Sequence, residues 1–312
     1  MCPQIDRNPD ILKEEERSKD AGAFPKVILL DTTNFCNLKC SMCGHKVMTR
    51  DKGRMSMKLF RKIIDEIADV DNNVRVWMVF FGEALLLKYQ LYWQILYAKR
   101  KGLTDVVLNS NGNLLDEDAS IGLIESGLDA IYIGIDAFER DTYAKIRVEG
   151  NYDRVVANVN SLLELKSKMG VTKPQVFVQF VAMEQNEKEI EDFQKYWTVR
   201  GATAKIRPKV TWAGTVDSWK VKSTERYPCY WSMRTFNICW DGRVVLCSVD
   251  YDARFIAGDV SHDSIQSIWQ SSLKKIRDTQ VIGDYKSLPP FCRDCTDWQM
   301  ARADYYQTED GR

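Results

Sequence analysis

VILLDTTNFCNLKCSMC, residues 27–43, is the stretch on which the fold turns. It opens with an apolar run, Val27–Asp31, and passes into a polar loop carrying Cys36, Cys40 and Cys43 in a C-x3-C-x2-C spacing. In parallel α/β architectures the site lies at the C-terminal ends of the strands, which is where this loop falls. Cubane iron–sulfur clusters normally take four cysteine ligands. Three thiolates on one loop therefore leave a fourth iron for something else to bind. A zinc site with His45 as the fourth ligand is the competing reading.

Outward from this loop the chain alternates between two periods. A helix capped by Ser56 carries apolar residues at Leu59, Phe60, Ile63, Ile64 and Ile67, the spacing of one helical face. Strands are predicted at Val74–Phe81, Asp105–Asn109, Ala130–Asp136, Gln175–Met183 and Thr203–Val210. Helices are predicted at Tyr89–Lys101, from an Asp116 cap to Gly127, at Tyr152–Met169 and at Glu187–Arg200. Continuous apolar strands alternating with helices imply an α/β fold built on a parallel sheet with right-handed crossovers. Six β-then-α units are too few for an eight-unit barrel, so the expected fold is an open, partial (β/α)6 barrel over residues 27–210, after a lead-in at 1–26.

From residue 211 to 312 the pattern changes to a linker and a small second domain. Phe236–Trp240 and Arg243–Leu246 flank Asp241-Gly242, a two-residue hairpin signal, and a helix is predicted at about Ser264–Asp278. Cys229, Cys247, Cys292 and Cys295 form C-x17-C-x44-C-x2-C. Four cysteines close a site, which points to electron transfer rather than substrate ligation; a structural four-cysteine zinc site is the alternative. With a two-residue loop, Cys239 would pair with Val244 and Cys247 with Phe236, on opposite faces. Cys239 is then either a small buried hydrophobe or a hydrogen-donating thiol. Cys2 reads as a bystander.

The 312 residues carry 44 basic and 44 acidic side chains, so no net charge favours a nucleic-acid partner. The N-terminus lacks an apolar signal region and no run is long enough to span a bilayer, so a cytoplasmic protein away from the membrane is expected. Nine cysteines in a reducing compartment point to metal or clusters rather than disulfides.

A strand followed by C-x3-C-x2-C resembles the radical S-adenosylmethionine (SAM) superfamily. The resemblance implies a 4Fe–4S cluster on Cys36, Cys40 and Cys43 whose open iron binds SAM, giving a 5′-deoxyadenosyl radical that abstracts a substrate hydrogen. Phe81-Gly82-Glu83 resembles the family's G-G-E element, with Phe81 in place of the first glycine, and so assigns Gly82 and Glu83 to SAM. Ser110 and Asn111 resemble its S-N-G element, Asp136 ends a segment like S-I-D, and Arg147 resembles the arginine on SAM's carboxylate. Met42 matches the position on adenine, and Gln179 and Asn186 match polar positions of the fifth strand and its loop.

The second set resembles the shortened SPASM, or twitch, domain, with a single auxiliary 4Fe–4S cluster. Its spacing is most similar to that of the butirosin-type aminocyclitol dehydrogenases. The resemblance implies an electron donor such as flavodoxin or ferredoxin. It also implies a small hydroxylated substrate (sugar, aminocyclitol or nucleoside) oxidised from alcohol to ketone. Epimerisation with Cys239 as hydrogen donor, decarboxylation of a sugar acid and peptide modification remain open, as does a non-catalytic iron–sulfur or zinc protein. About 26 residues before the first strand are too few for a peptide-recognition domain. Substrate contacts are expected from Gln179, Arg207, Lys209, Trp212 and Asp250.

Overall fold

The computed structural model describes residues 21–217 and 226–299. Cys2, most of the lead-in, residues 218–225 of the linker and the tail from residue 300 lie outside them.

Six strands follow in order: β1 (Val27–Leu30), β2 (Arg75–Trp77), β3 (Asp105–Ser110), β4 (Ala130–Gly134), β5 (Gln175–Ala182) and β6 (Thr203–Pro208). Each pairs in parallel with its predecessor. The helices between them are α1 (Met57–Val70), α2 (Tyr89–Arg100), α3 (Glu117–Glu125), α4 (Arg140–Ile146), α5 (Tyr152–Met169) and α6 (Ile190–Val199). In α1, Ser56 accepts a hydrogen bond from Leu59 N, and Phe60, Ile63, Ile64 and Ile67 are all buried. Burying side chains of this size contributes about 1.5–3 kcal/mol each, so this one face is enough to hold the helix on the sheet. Helix α5 starts at an Asn151 cap and stops at Gly170, whose left-handed φ of 65° suits glycine.

The sheet does not end at β1. Strand β7 (Thr235–Ile238) pairs in parallel with β1 from Val27↔Thr235 to Leu30↔Ile238. Strands β8 (Arg243–Val245) and β9 (Ile256–Asp259) then add in antiparallel order. The result is an open nine-stranded sheet, β6-β5-β4-β3-β2-β1-β7-β8-β9, an α/β partial barrel. Ile28, Leu30, Val106, Leu108, Ile131, Ile133, Val178, Phe180, Phe236 and Ile238 pack into the main core with the helices. The alternate residues, among them Trp77, Val107, Tyr132 and Phe177, line the other, inner face.

Some elements differ from expectation. The apolar run at 74–81 pairs only over Arg75–Trp77, because beyond Met78 its backbone groups find partners off the ladder: Phe81 N donates to Asp31 Oδ1 (3.2 Å) and Glu83 N to Phe35 O (2.8 Å). The β7–β8 hairpin has a three-residue loop, since Ile238, not Cys239, sits opposite Val244 and Cys239 N donates to Arg243 O (2.8 Å). Gly242 takes φ +99° in that loop, and a Cβ there would meet Ser261 Oγ at 2.5 Å. The expected helix near 264–278 is two, α7 (Ile265–Gln270) and α8 (Ser272–Val281), broken at Ser271.

Candidate functional site

The cysteine loop is held from three directions. Lys39 N and Ser41 N donate to Val148 O (3.0 Å) and Ile146 O (2.9 Å), which ties both neighbours of Cys40 to the turn bearing Arg147. Gly82 passes so close beneath that a Cβ would meet Phe35 O at 2.5 Å and Thr33 O at 2.7 Å, at φ +91°. Only glycine fits there. His45 Nε2 donates to Asn34 O (2.8 Å). Burial raises the Cys36 thiol to about 11 and the Cys43 thiol to about 12, and the neighbouring cysteines push in the same direction. Bare thiolates are therefore disfavoured in this loop, and a bound cation would reverse that balance.

Glu83 is buried beside Cys36. Its carboxylate accepts from Asn111 N (2.7 Å), Ser110 Oγ (3.0 Å) and Leu85 N (3.1 Å). Burial raises its pKa, and these donors oppose the shift. Asn111 Nδ2 reaches Asn37 Oδ1 (2.8 Å), and Asn113 continues the network to Tyr143 OH (3.2 Å). Sequence reasoning passed over Asn37 and Asn113, which carry no motif of their own.

At the end of β4, Arg147 Nε lies 2.6 Å and Nη2 2.5 Å from Asp136 Oδ2, while Nη1 lies 3.5 Å from Cys40 Sγ. Asp136 Oδ1 accepts from Val181 N (2.7 Å), and Asn186 Nδ2 donates to Asp136 O (2.8 Å). At the last position of β4, Gly134 has no side chain to obstruct the guanidinium; a glycine in a strand is a signal for such close approach. With its amide oriented by its neighbours, Gln179 accepts from Arg207 Nε (3.0 Å) and Nη2 (3.2 Å) and donates to Asn109 Oδ1 (3.3 Å). Below this row, Tyr132 and Phe177 stack at 4.5 Å, Trp77 lies 4.8 Å from Tyr132, and Lys205 Nζ sits 5.0 Å above the Phe177 ring.

Cys229, Cys247, Cys292 and Cys295 line one cavity, together with Arg226 and Asp297. Burial raises all four thiols. Among the described residues, no group of three His, Cys, Asp or Glu closes on a point as a single-ion site requires. Arg226 donates to Cys292 O (2.9 Å) and Arg293 O (2.6 Å).

Cys239 does not line that cavity. It lies at the end of β7, fully buried, with Arg50 and Asp31 as its nearest charges, and burial raises its thiol to about 12. Arg50 Nη2 donates to Asp31 Oδ2 (2.8 Å) and Nε to Tyr251 O (2.7 Å). Burial outweighs this partner and lifts the Asp31 carboxyl to about 6. Cys239 and Cys247 do not share the hairpin whose alternation would set them on opposite faces: β8 ends at Val245, and Cys247 lies in the segment that follows. Asp250 turns both oxygens onto its own loop, accepting from Arg254 N (2.8 Å) and Phe255 N (3.0 Å). Trp212 Nε1 donates to Met42 O (2.7 Å). Lys209 is half-buried beyond β6, and burial lowers its pKa.

Comparison with known proteins fits this geometry. Residues 30–196 match the model of the Radical SAM superfamily, and residues 229–296 match SPASM, an iron-sulfur cluster-binding domain. The chain is similar to a tungsten-containing aldehyde ferredoxin oxidoreductase cofactor-modifying protein of Pyrococcus furiosus, at 24% identity over 71% of this chain and 70% of that one. Its fold is similar to that of BtrN in complex with AdoMet and 2-DOIA (TM-score 0.63, 16% identity, 90% of this chain and 96% of that one). It is also similar to Streptococcus suis SuiB bound to precursor peptide SuiA (TM-score 0.69, 10% identity, 92% and 75%). The first match covers more than half of the chain, and the chain belongs to the radical SAM superfamily. It is a radical SAM enzyme with a SPASM-type domain, and its cofactors are SAM, a SAM-binding 4Fe–4S cluster and auxiliary iron–sulfur chemistry. Three mutually close cysteines on one loop and four around one cavity fit those groups. Among the described residues no helix is long and apolar enough to cross a membrane.

Proposed function

We propose that this enzyme abstracts a hydrogen atom from a small hydroxylated molecule (a sugar, aminocyclitol or nucleoside) and oxidises its alcohol to a ketone. The observation that carries this reading is the closed second set: all four cysteines face one cavity, which suits an electron acceptor rather than a substrate ligand. When bound, SAM and the first cluster would supply hydrogen-abstracting radical chemistry, and the auxiliary cluster would supply a one-electron acceptor.

In this reading Cys36, Cys40 and Cys43 hold the first cluster, and Cys229, Cys247, Cys292 and Cys295 hold the second. Glu83 faces SAM's ammonium, Arg147 its carboxylate, and Ser110, Asn111, Asp136, Gln179 and Met42 shape the remaining contacts. Gln179, Asn109 and Arg207, joined in one hydrogen-bonded row across the sheet, present groups that suit hydroxyls. The aromatic row Trp77, Tyr132 and Phe177 beneath them excludes water from the substrate radical. Lys209, just beyond β6, is the group we assign to the hydroxyl proton. A low-potential donor such as flavodoxin or ferredoxin supplies the electron that starts each turnover, and the cytoplasm is the compartment that provides it.

The test is anaerobic reconstitution, reduction and addition of SAM with a panel of polyols and nucleosides deuterated at the carbinol carbon. Deuterium carried into 5′-deoxyadenosine, with ketone formed, supports the reading. No 5′-deoxyadenosine above a Cys36→Ala control, with iron verified, would sink it. A peptide substrate is the competing reading, since SuiB was solved with a precursor peptide; label transfer from peptides alone would decide for it. Cys239, buried at the end of β7, keeps an epimerase outcome testable by product analysis.

A further inference from the structure

Asp297 joins the two cysteine sites. It is 1% exposed and lines the auxiliary cavity. Its own N–H donates to Cys295 Sγ (3.3 Å), while Oδ1 accepts from Thr211 N (2.5 Å) and Oδ2 from Ala213 N (2.8 Å). The residue clasped between those two amides is Trp212, whose indole donates to Met42 O, between Cys40 and Cys43.

The segment is not in a relaxed conformation. Trp212 and Ala213 both have φ +53°, and Gly214 has φ +85°. Two successive non-glycine residues in the left-handed region persist only where the surroundings hold them. The Asp297 carboxylate is the main holder, helped by Gly214 N on Thr211 Oγ1 (3.0 Å) and Thr215 Oγ1 on Trp212 O (2.9 Å). On its far side the Trp212 ring packs on Phe81 (5.3 Å) and over Gly44, where a Cβ would approach Trp212 Cδ2 to 3.3 Å. The ring therefore presses on the loop just after Cys43.

We infer that Asp297 is a positioning residue that sets SAM affinity from the auxiliary site, by holding Trp212 against the Met42 carbonyl. Charged acceptors on backbone amides are among the stronger hydrogen bonds, so their loss should be felt at the far end. The inference rests on the proposed ligand roles of the two cysteine sets and goes beyond them by linking one to the other.

The test measures SAM binding by equilibrium dialysis on reconstituted full-length protein, with iron content and the cluster spectra recorded alongside. Asp297→Asn and Trp212→Phe are each expected to weaken SAM binding fivefold or more, Trp212→Phe with both clusters retained. The double variant is expected to fall within about twofold of the weaker single, because both act through one contact. A purely structural role predicts additive losses that track thermal stability. SAM affinity within twofold of wild type in both single variants, whether auxiliary iron is kept or lost, overturns the inference, as do additive losses. Wild-type protein that binds SAM yet carries only one cluster's iron would instead remove the auxiliary-ligand reading, and the two variants would still decide on Asp297, whose hydrogen bonds need no iron.

Discussion

Arg147 lies over the bare backbone of Gly134, where a Cβ would come within 2.0 Å of its Nη2. The same guanidinium grips Asp136 and reaches Cys40. Gly134→Ala should therefore displace the arginine without touching the sheet's hydrogen bonds. The expected result is a tenfold or greater loss of SAM affinity with an unchanged far-UV circular dichroism spectrum. Arg147→Met goes further and leaves a buried carboxylate unpaired, a change that costs about 3–5 kcal/mol, to be read by denaturant unfolding.

Glu83 uses its charge to order the strand end that follows β3. Glu83→Gln keeps the shape but turns an amide N–H₂ toward either Asn111 N or the pair Ser110 and Leu85, all of which donate to the native carboxylate. Hydrogen bonds to charged groups contribute about 1.5–3 kcal/mol each. A stability loss of about 2 kcal/mol and a large drop in SAM binding are expected, measured by thermal denaturation and dialysis.

Asp129, just before β4, is clasped by Lys99 and Lys173, both at 2.6 Å, and by Val106 N at 2.8 Å. These partners hold its carboxyl below the usual value of 3.8, despite burial. A depressed folded-state pKa gives stability that is fully present above the unfolded value and is lost as pH falls through the folded one. Asp129→Asn should thus cost about 1–2 kcal/mol at pH 7, and the gap to wild type should close as the pH falls below 3.8 and through the lower folded-state value. A gap that persists in acid would show that charge is not the cause.

Cys239 is fully buried beside Asp31 and Arg50. If ketone is the product, Cys239→Ala leaves turnover within about twofold, since removing one sulfur from a core costs little beyond a small cavity. Selective loss of a reprotonated product, seen by deuterium uptake from solvent, would transfer the assignment to an epimerase.

Cys292→Ala with Cys295→Ala removes two of the four cysteines of the auxiliary cavity. Iron should fall from about eight to about four per chain. Ketone formation should cease while 5′-deoxyadenosine is still produced. Ketone formation at the wild-type rate would mean that the electron leaves by another route.

Much of the site was legible in one dimension because its parts sit at strand ends. Cys36 to Cys43, Glu83, Ser110-Asn111 and Asp136 each follow a recognisable apolar run, and a parallel sheet brings the ends of its strands to one edge. The helices α1 and α5 were equally plain, with a cap at Ser56 or Asn151 and a single buried face. The hairpin was less so. Asp241-Gly242 marks a turn, yet whether two or three residues form it depends on Cys239 N finding Arg243 O.

By itself the sequence determined the alternation of strands and helices, the open barrel and the grouping of cysteines into a three and a four. Those features rest on local periodicity and on the spacing of residue types. Tertiary structure alone decided that β7 lies beside β1, that Arg147 crosses Gly134 to reach Cys40, and that Asp297 holds Trp212 on Met42. Each of these joins residues far apart in the chain. Such pairings depend on shape and on unsatisfied hydrogen-bonding groups that exist only once the sheet has formed.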